Sequence, residues 1–230
     1  SRERVARERV ERVQAALDAR QSLEPKMERR EKGSGKNARA STTDPEARKM
    51  KMGDGGFRPA FNVQFATTTE TGVIVGVDVT QEGTDGGQLL PMYEQIAQRY
   101  QQHPQEYLAD GGFVNLAAIT HLEANGTATY LPIVDEAKKR EKGQDPHAPV
   151  KGDSEGVKAW RARMGTENAK AIYKNRASSA ELSNASCRNR GLWSFNVRGQ
   201  IKAKSVALWH AIVHNFHRLL DLTRKATAAT

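Results

Sequence analysis

Asp110 closes the short run Glu106-Tyr-Leu-Ala-Asp110 and is followed by Gly111 and Gly112. A carboxylate at the carboxyl end of a strand stands where α/β folds commonly bind ligands. The two glycines admit a close backbone or substrate. The same arrangement also starts ordinary turns, where aspartate is common. Glu181 is the second chemical candidate, in Tyr173-Lys-Asn-Arg176-Ala-Ser-Ser-Ala-Glu181, with Arg188 seven residues on. On a helix, Arg176 and Glu181 lie about 300° and about 80° round from Tyr173, so the three span one side. Arg188, two turns beyond Glu181, returns to its side. A lone carboxylate among arginines suits a metal ligand beside a phosphate-binding surface, or an exposed glutamate in an ion pair.

Other candidates read as structural. Asp78 alternates with Val77 and Val79 on a strand and faces the opposite side. Asp85, in Glu82-Gly-Thr-Asp85-Gly-Gly, reads as the cap of the helix that follows, and Asp44-Pro45 as a helix-starting turn. Lys32-Gly-Ser-Gly-Lys36 lacks the spacing of a phosphate loop. His210 and His214 have metal-ligand spacing, but no further ligand accompanies them, and packing or DNA contact suits them better. Cys187 is the single cysteine, with no base beside it, which excludes a disulfide scaffold and a multi-cysteine zinc site.

These residues need elements to hold them. The spacing of Ala6, Val10, Val13 and Leu17 predicts a helix over 2–31, solvated or partner-facing, broken or kinked at Pro25. Residues 32–56 read as a flexible linker. Alternation at Phe61, Val63 and Phe65, a turn at 67–72 and the β-branched run 73–79 predict a hairpin. A helix over 88–101, the strand 106–110, a short helix capped by Asn115 and a strand over 127–133 follow. The polar stretch 135–168 reads as a loop or insert. Helices over 167–186 and 202–225 close the chain, the last with Val206, Leu208, Trp209, Ile212, Val213, Phe216, Leu219 and Leu220 as its apolar face. The tail is 226–230. The order of strands and helices predicts a mixed α/β sheet.

The chain has 230 residues, 37% hydrophobic, with no long apolar run, which excludes a membrane span by a helix. Its net charge of +9 is uneven. Residues 1–52 hold 15 Lys/Arg against 9 Asp/Glu, residues 53–150 hold 6 against 13, and residues 151–230 hold 15 against 5. Two basic arms flank an acidic centre. The arms would attract a polyanion, and the centre would repel one unless a divalent cation neutralised it. Lys170, Lys174, Arg188, Arg190, Arg198, Lys202 and Lys204 are the phosphate-contact candidates, with Trp193 and Phe195 available to stack on a base.

Three stretches, in order, resemble the DDE transposases of bacterial insertion sequences. They are similar to the IS-four-like superfamily and most of all to its IS-eleven-eighty-two group. The first is Thr43-Asp-Pro-Glu-Ala-Arg48-Lys-Met-Lys51 leading into Phe61-Asn-Val-Gln64. The second is Leu108-Ala-Asp110-Gly-Gly-Phe113. The third runs from Tyr173, Arg176, Glu181 and Arg188 through Asn189-Arg-Gly-Leu192 and Val197-Arg-Gly199 to Asn215-Phe-His-Arg-Leu219. The resemblance implies a ribonuclease-H-like fold over 57–225 and two Mg²⁺ (or Mn²⁺) ions on a carboxylate triad. It implies cleavage and joining of DNA ends at terminal inverted repeats and target DNA. It further implies self-association in a synaptic complex and a place in the bacterial cytoplasm at the nucleoid. Asp110 matches the family's second aspartate and Glu181 its helical glutamate, so both are the implied catalytic and metal-binding residues. Tyr173, Lys174, Arg176, Arg188, Arg190, Arg198 and Lys202 are the implied DNA contacts. The family's first aspartate lies on a strand upstream of a helix like 2–31, and no residue here matches it. The chain is therefore expected to be a truncated, poorly active portion of a transposase. The rival readings are a non-catalytic DNA-binding remnant and a nuclease on the same fold. After the glutamate, Leu182-Ser-Asn-Ala stands in place of the family's aromatic–glycine turn.

Overall fold

The computed structural model describes residues 2–228, with backbone alone at 177 and 178. Ser1 of the expected first segment and residues 229 and 230 of the expected tail lie outside the described residues. The architecture is mixed α/β, as expected, but the described strands lie in separate two-stranded sheets rather than in the one mixed sheet expected. Seven α-helices and six short strands are described, the strands in three two-stranded sheets. No described helix is long and apolar enough to cross a membrane. The chain divides into two compact units.

The first unit holds the residues up to Gln64, Asp78–Gly83 and Gly191–His210. Its helix α1 (Arg2–Arg30) continues through Pro25, where a break or a kink was expected, so the helix is not broken there. The turn beyond the proline is anchored from outside the helix. Glu28 accepts from the amides of Gly33 and Gly35 at 2.7 and 2.9 Å, and Ser34 Oγ donates to the Met27 carbonyl at 2.7 Å. The segment expected as a linker carries regular structure. Strand β1 (Arg48–Lys51) pairs antiparallel with β2 (Phe57–Ala60), which includes Pro59. A two-stranded sheet leaves one edge of each strand unpaired, and proline is tolerated at such an edge. The Asp44-Pro45 turn does not start a helix. Asp44 Oδ1 instead accepts from Glu46 N and Oδ2 from Gly199 N. Strands β3 (Asn62–Thr67) and β4 (Ile74–Thr80), whose turn belongs to the second unit, form the expected hairpin, closed where Thr68 N donates to the Val73 carbonyl.

The second unit holds Phe65–Val77, Thr84–Arg190 and the chain from Ala211. Its core joins Leu89 and Tyr93 of α2 (Leu89–Tyr100), Ile119 and Leu122 of α3 (Leu116–Ala124), Leu131, and Val157 and Trp160 of α5 (Glu155–Met164). Strand β5 (Glu106–Leu108) runs parallel to β6 (Ala128–Tyr130), with Tyr107 opposite Thr129. Parallel strands need a crossover, and α3 provides it. Asn115 caps α3 as its sequence predicts, accepting from Ala118 N at 3.1 Å.

The stretch 135–168 differs from expectation. It carries α4 (Glu136–Glu141) and α5 rather than a loop. Its polarity conceals a short apolar face, since Val157, Trp160 and Met164 recur at helical spacing and are buried. Trp160 Nε1 donates to the Leu131 carbonyl at 3.0 Å, and buried Arg161 meets Asp153 at 2.7 Å. Polar residues of this segment therefore serve the core through partners.

The closing helix α7 (Gln200–Ala228) also departs from expectation, in its buried face. The large apolar side chains are mostly exposed, Trp209 at 68% and Phe216 at 59%. What is buried is small or polar: Ala203, Ala207, Ala211 and His214. Hydrogen bonds select that face in the second unit. His214 Nε2 lies 2.8 Å from the Gly72 carbonyl, and Asn215 bonds both Ile74 N and Ile74 O at 2.8 Å. Arg218 donates twice to the Thr71 carbonyl. Polar groups that find such partners can be buried where methyl-sized neighbours allow close approach.

Candidate active site

Asp110 leaves β5 two residues beyond its last paired position and caps a one-turn 3₁₀ helix over Gly111–Phe113. Its backbone is extended, and Oδ1 accepts from Gly112 N at 2.8 Å. The other oxygen faces helix α6 (Glu167–Asn189), with Arg176 Nη1 3.8 Å from Oδ2. The Asp110 side chain stays 46% exposed and that of Arg176 29%. The guanidinium carbon sits 5.6 Å over the Tyr173 ring. Burial pushes the Tyr173 phenol up, and the neighbouring Arg176 charge partly offsets that rise. The Nε of Arg176 is buried and has no hydrogen-bond partner among the described residues. A guanidinium is well matched to phosphate oxygens.

Gly112 explains a second feature. A Cβ at that position would lie 3.0 Å from Asp110 Oδ1 and 3.5 Å from Asp85 Oδ2. A side chain there would press on the Asp110 carboxylate and come into ordinary contact with that of Asp85. Asp85 sits in the loop before α2. Its carbonyl accepts from Gln88 N at 2.9 Å, and Gln88 holds the cap position of α2 without a side-chain cap bond.

Among the described residues, no three His, Cys, Asp or Glu side chains gather into a metal-binding group. The chemistry of the donors that do meet still fits a magnesium-type ion. Such ions are commonly held by one or two carboxylates, with water and substrate phosphates completing the shell. Asp110, half exposed, offers one such carboxylate.

Glu181 lies on the same helix as Arg176, five residues on. That places it about 140° round the axis and about 7.5 Å along it. Its side chain is exposed. The structure thus joins Asp110, Tyr173 and Arg176 in one cluster and sets Glu181 on the next part of the same helix. Lys174, Arg188 and Arg190 are exposed on α6 or at its end, and an Arg190 Nη1 bonds the Ser186 carbonyl at 3.1 Å. Lys170 pairs with Glu167 at 2.7 Å. In the first unit, Arg198 and Lys202 are exposed, while Lys204 meets Asp78 at 2.8 Å. Trp193 is exposed, and Phe195 meets Phe61 edge-on at 6.1 Å. Asp78 and His214 serve structure, as their sequence settings indicated. Cys187 is buried, and burial pushes its thiol up, away from the reactive thiolate. The sequence reads Asp85 as the cap of the following helix, whereas Gln88 holds the cap position of α2.

A family model, the transposase DDE domain, matches residues 32–216. The chain belongs to that family. No curated protein and no solved structure matches it. The match runs from just after α1 to the middle of α7, so it takes in residues of both units and Asp110, Glu167 and Glu181 of the candidate site. Membership assigns the chain to transposition and DNA recombination, and it brings DNA and divalent metal ions into the chemistry to be explained.

Proposed function

We propose that the chain is the catalytic portion of an insertion-sequence transposase of the IS-four-like superfamily, IS-eleven-eighty-two group, built on a ribonuclease-H-like arrangement. Asp110 and Glu181 hold Mg²⁺ or Mn²⁺, and the basic side chains of α6 and the residues after it hold DNA. A bound divalent ion would supply Lewis-acid stabilisation of charge on the phosphate oxygens and on the attacking oxygen. The observation that carries the reading is Asp110 beside Arg176, within a chain of this family: an anionic ligand for a cation next to a guanidinium with an unused, buried donor.

The protein's own groups then divide the work. Asp110 is half exposed and held by the Gly112 amide, so one oxygen is oriented and the other faces the site. Arg176 is stacked on Tyr173, which limits its motion, and its fork can take a phosphate oxygen. In the cleavage step a water oxygen bonds to phosphorus, the P–O3′ bond breaks, and the 3′-oxygen leaves with a proton. In the joining step that 3′-hydroxyl attacks a target phosphodiester, with an equal exchange of P–O bonds. Arg188, Arg190, Arg198 and Lys202 hold the backbone, giving affinity that falls with salt.

The test is cleavage and strand transfer on DNA carrying the element's terminal repeats, with Mg²⁺. Asp110→Ala and Glu181→Ala should abolish both steps and leave DNA binding within about twofold, as a metal-ligand role requires. Normal cutting by either variant overturns that residue's assignment. Supplying pre-cleaved ends separates the nuclease rival, because a nuclease would not join them.

A further inference from the structure

We infer that the outward face at the start of α7 is a stacking site for an unpaired DNA base, with Trp209 against the base and Arg198 and Lys202 on its flanking phosphates. The inference rests on the DNA-binding reading above and not on the metal ligands. From Ile201, at about 100° per residue, Ser205 lies about 40°, Trp209 about 80° and Lys202 about 100° round the helix, so the four share one side. Ala203 and Ala207 lie about 200° and about 240° round, and both are fully buried. Contacts within the first unit fix that roll. Gly199 N donates to Asp44 Oδ2 at 3.0 Å, and Gln200 N donates to Glu46 Oε2 at 2.8 Å. Gln200 Nε2 donates to the Val79 carbonyl at 2.6 Å, and Lys204 meets Asp78 at 2.8 Å. The opposite face is thereby held outward, with Ile201 83% and Trp209 68% exposed.

Scattered exposed apolar side chains are ordinary on a protein surface, and charge is what singles out this face. Lys202, on the face, and Arg198, just ahead of the helix, are exposed and have no ion-pair partner among the described residues, whereas Lys204 is matched by Asp78. Asp44 and Glu46, the carboxylates that reach the start of α7, are taken up by backbone amides. An indole beside uncompensated cations matches a base between phosphates. The ring stacks on a base of any kind, and the cations neutralise the backbone. Bases in a duplex are already stacked on one another, so the site selects an unpaired one. A second copy of this chain would bring the same cations against their like, which opposes association.

The experiment uses the whole chain, with oligothymidine as the single-stranded probe and a duplex of the same length beside it, read by fluorescence anisotropy at low and moderate salt. Trp209→Ala should weaken oligothymidine binding at least about fivefold and duplex binding less than about twofold, and Trp209→Phe, which keeps a ring, should recover most of the loss. Lys202→Ala should reduce the slope of log affinity against log salt on oligothymidine by about 0.7. Urea unfolding checks that each variant folds. If Trp209→Ala does not, quenching of tryptophan fluorescence by oligothymidine in the unaltered chain, diminished in Trp209→Phe, decides. Unchanged oligothymidine affinity in Trp209→Ala, or an equal loss on the duplex, overturns this inference and leaves DNA binding standing. Self-association of the DNA-free chain that Trp209→Ala abolishes also overturns it and gives the face to a second copy. Binding to neither probe, or binding that does not weaken with salt, overturns both this inference and the DNA-binding reading.

Discussion

Replacing Glu123 with glutamine should destabilise the protein by about 3 kcal/mol, the cost of breaking a well-buried ion pair on one side. Glu123 of α3 is the meeting point of three elements. Arg163 of α5 donates to its two oxygens at 2.6 and 2.8 Å, and Thr129 of β6 donates through its amide at 2.8 Å and its hydroxyl at 2.5 Å. The carboxylate side chain is 9% exposed and the guanidinium 24%. Glutamine keeps an acceptor for Thr129 but leaves Arg163 without its counter-charge and offers an amide where a second acceptor stood. With an m value of about 2 kcal/mol/M in urea, the midpoint should fall by about 1.5 M at unchanged slope. Acid gives a second readout. Burial alone would raise the Glu123 carboxyl, yet the bonds from Arg163 and Thr129 outweigh it and hold the group below the usual carboxylate range. A depressed folded-state pKa contributes stability that is complete above the unfolded value, about 4.3, and is lost as pH falls through the folded value. The gap between wild type and Glu123→Gln should therefore be full at neutral pH and narrow on acidification. A gap below about 1 kcal/mol at neutral pH, or one that widens in acid, would refute the reasoning.

Trp160→Ala should cost about 4 kcal/mol in urea unfolding, because it empties a fully buried site and removes the donor to Leu131; a surface-like change of under about 0.5 kcal/mol would show that 155–164 is not part of the core. Gly112→Ala should lower Mn²⁺ affinity while leaving DNA affinity unchanged, since its methyl group would press on Asp110 Oδ1, and equal Mn²⁺ affinity would contradict that geometry. Arg188→Ala should weaken DNA binding and reduce the slope of log affinity against log salt by about 1, measured by fluorescence anisotropy; an unchanged slope removes Arg188 from the phosphate contacts.

The legible parts of the sequence were those where a local pattern and a local force agree. The alternation through Phe61–Phe65, the apolar spacing in Leu89–Ile96 and the Asn115 cap each depend on neighbours in the chain, and each element formed where its residues indicated. Helix α5 escaped notice because its apolar face is only Val157, Trp160 and Met164, set among charges whose partners Asp153 and Glu123 lie elsewhere in the sequence. Helix α7 misled for the opposite reason. Its widest apolar stripe is exposed, and the buried side is chosen by carbonyls near Thr71–Ile74 that receive His214, Asn215 and Arg218, over 140 residues away. At the site, Asp110 was legible from the strand–Asp–Gly–Gly pattern. Its partner Arg176 could be named from the helix motif, but their meeting depends on how α6 packs beside β6, and Asp85 enters only through the close approach of two loops at Gly112.

The proposed function requires that Asp110 and Glu181 share the cations that act on DNA. Anomalous scattering from Mn²⁺ in crystals of the protein with a DNA end tests it most directly. A peak is expected within about 2.5 Å of an oxygen of Asp110, with manganese density also reached by Glu181. Manganese bound away from Asp110, or Glu181 pointing to solvent in the metal- and DNA-bound protein, would contradict it.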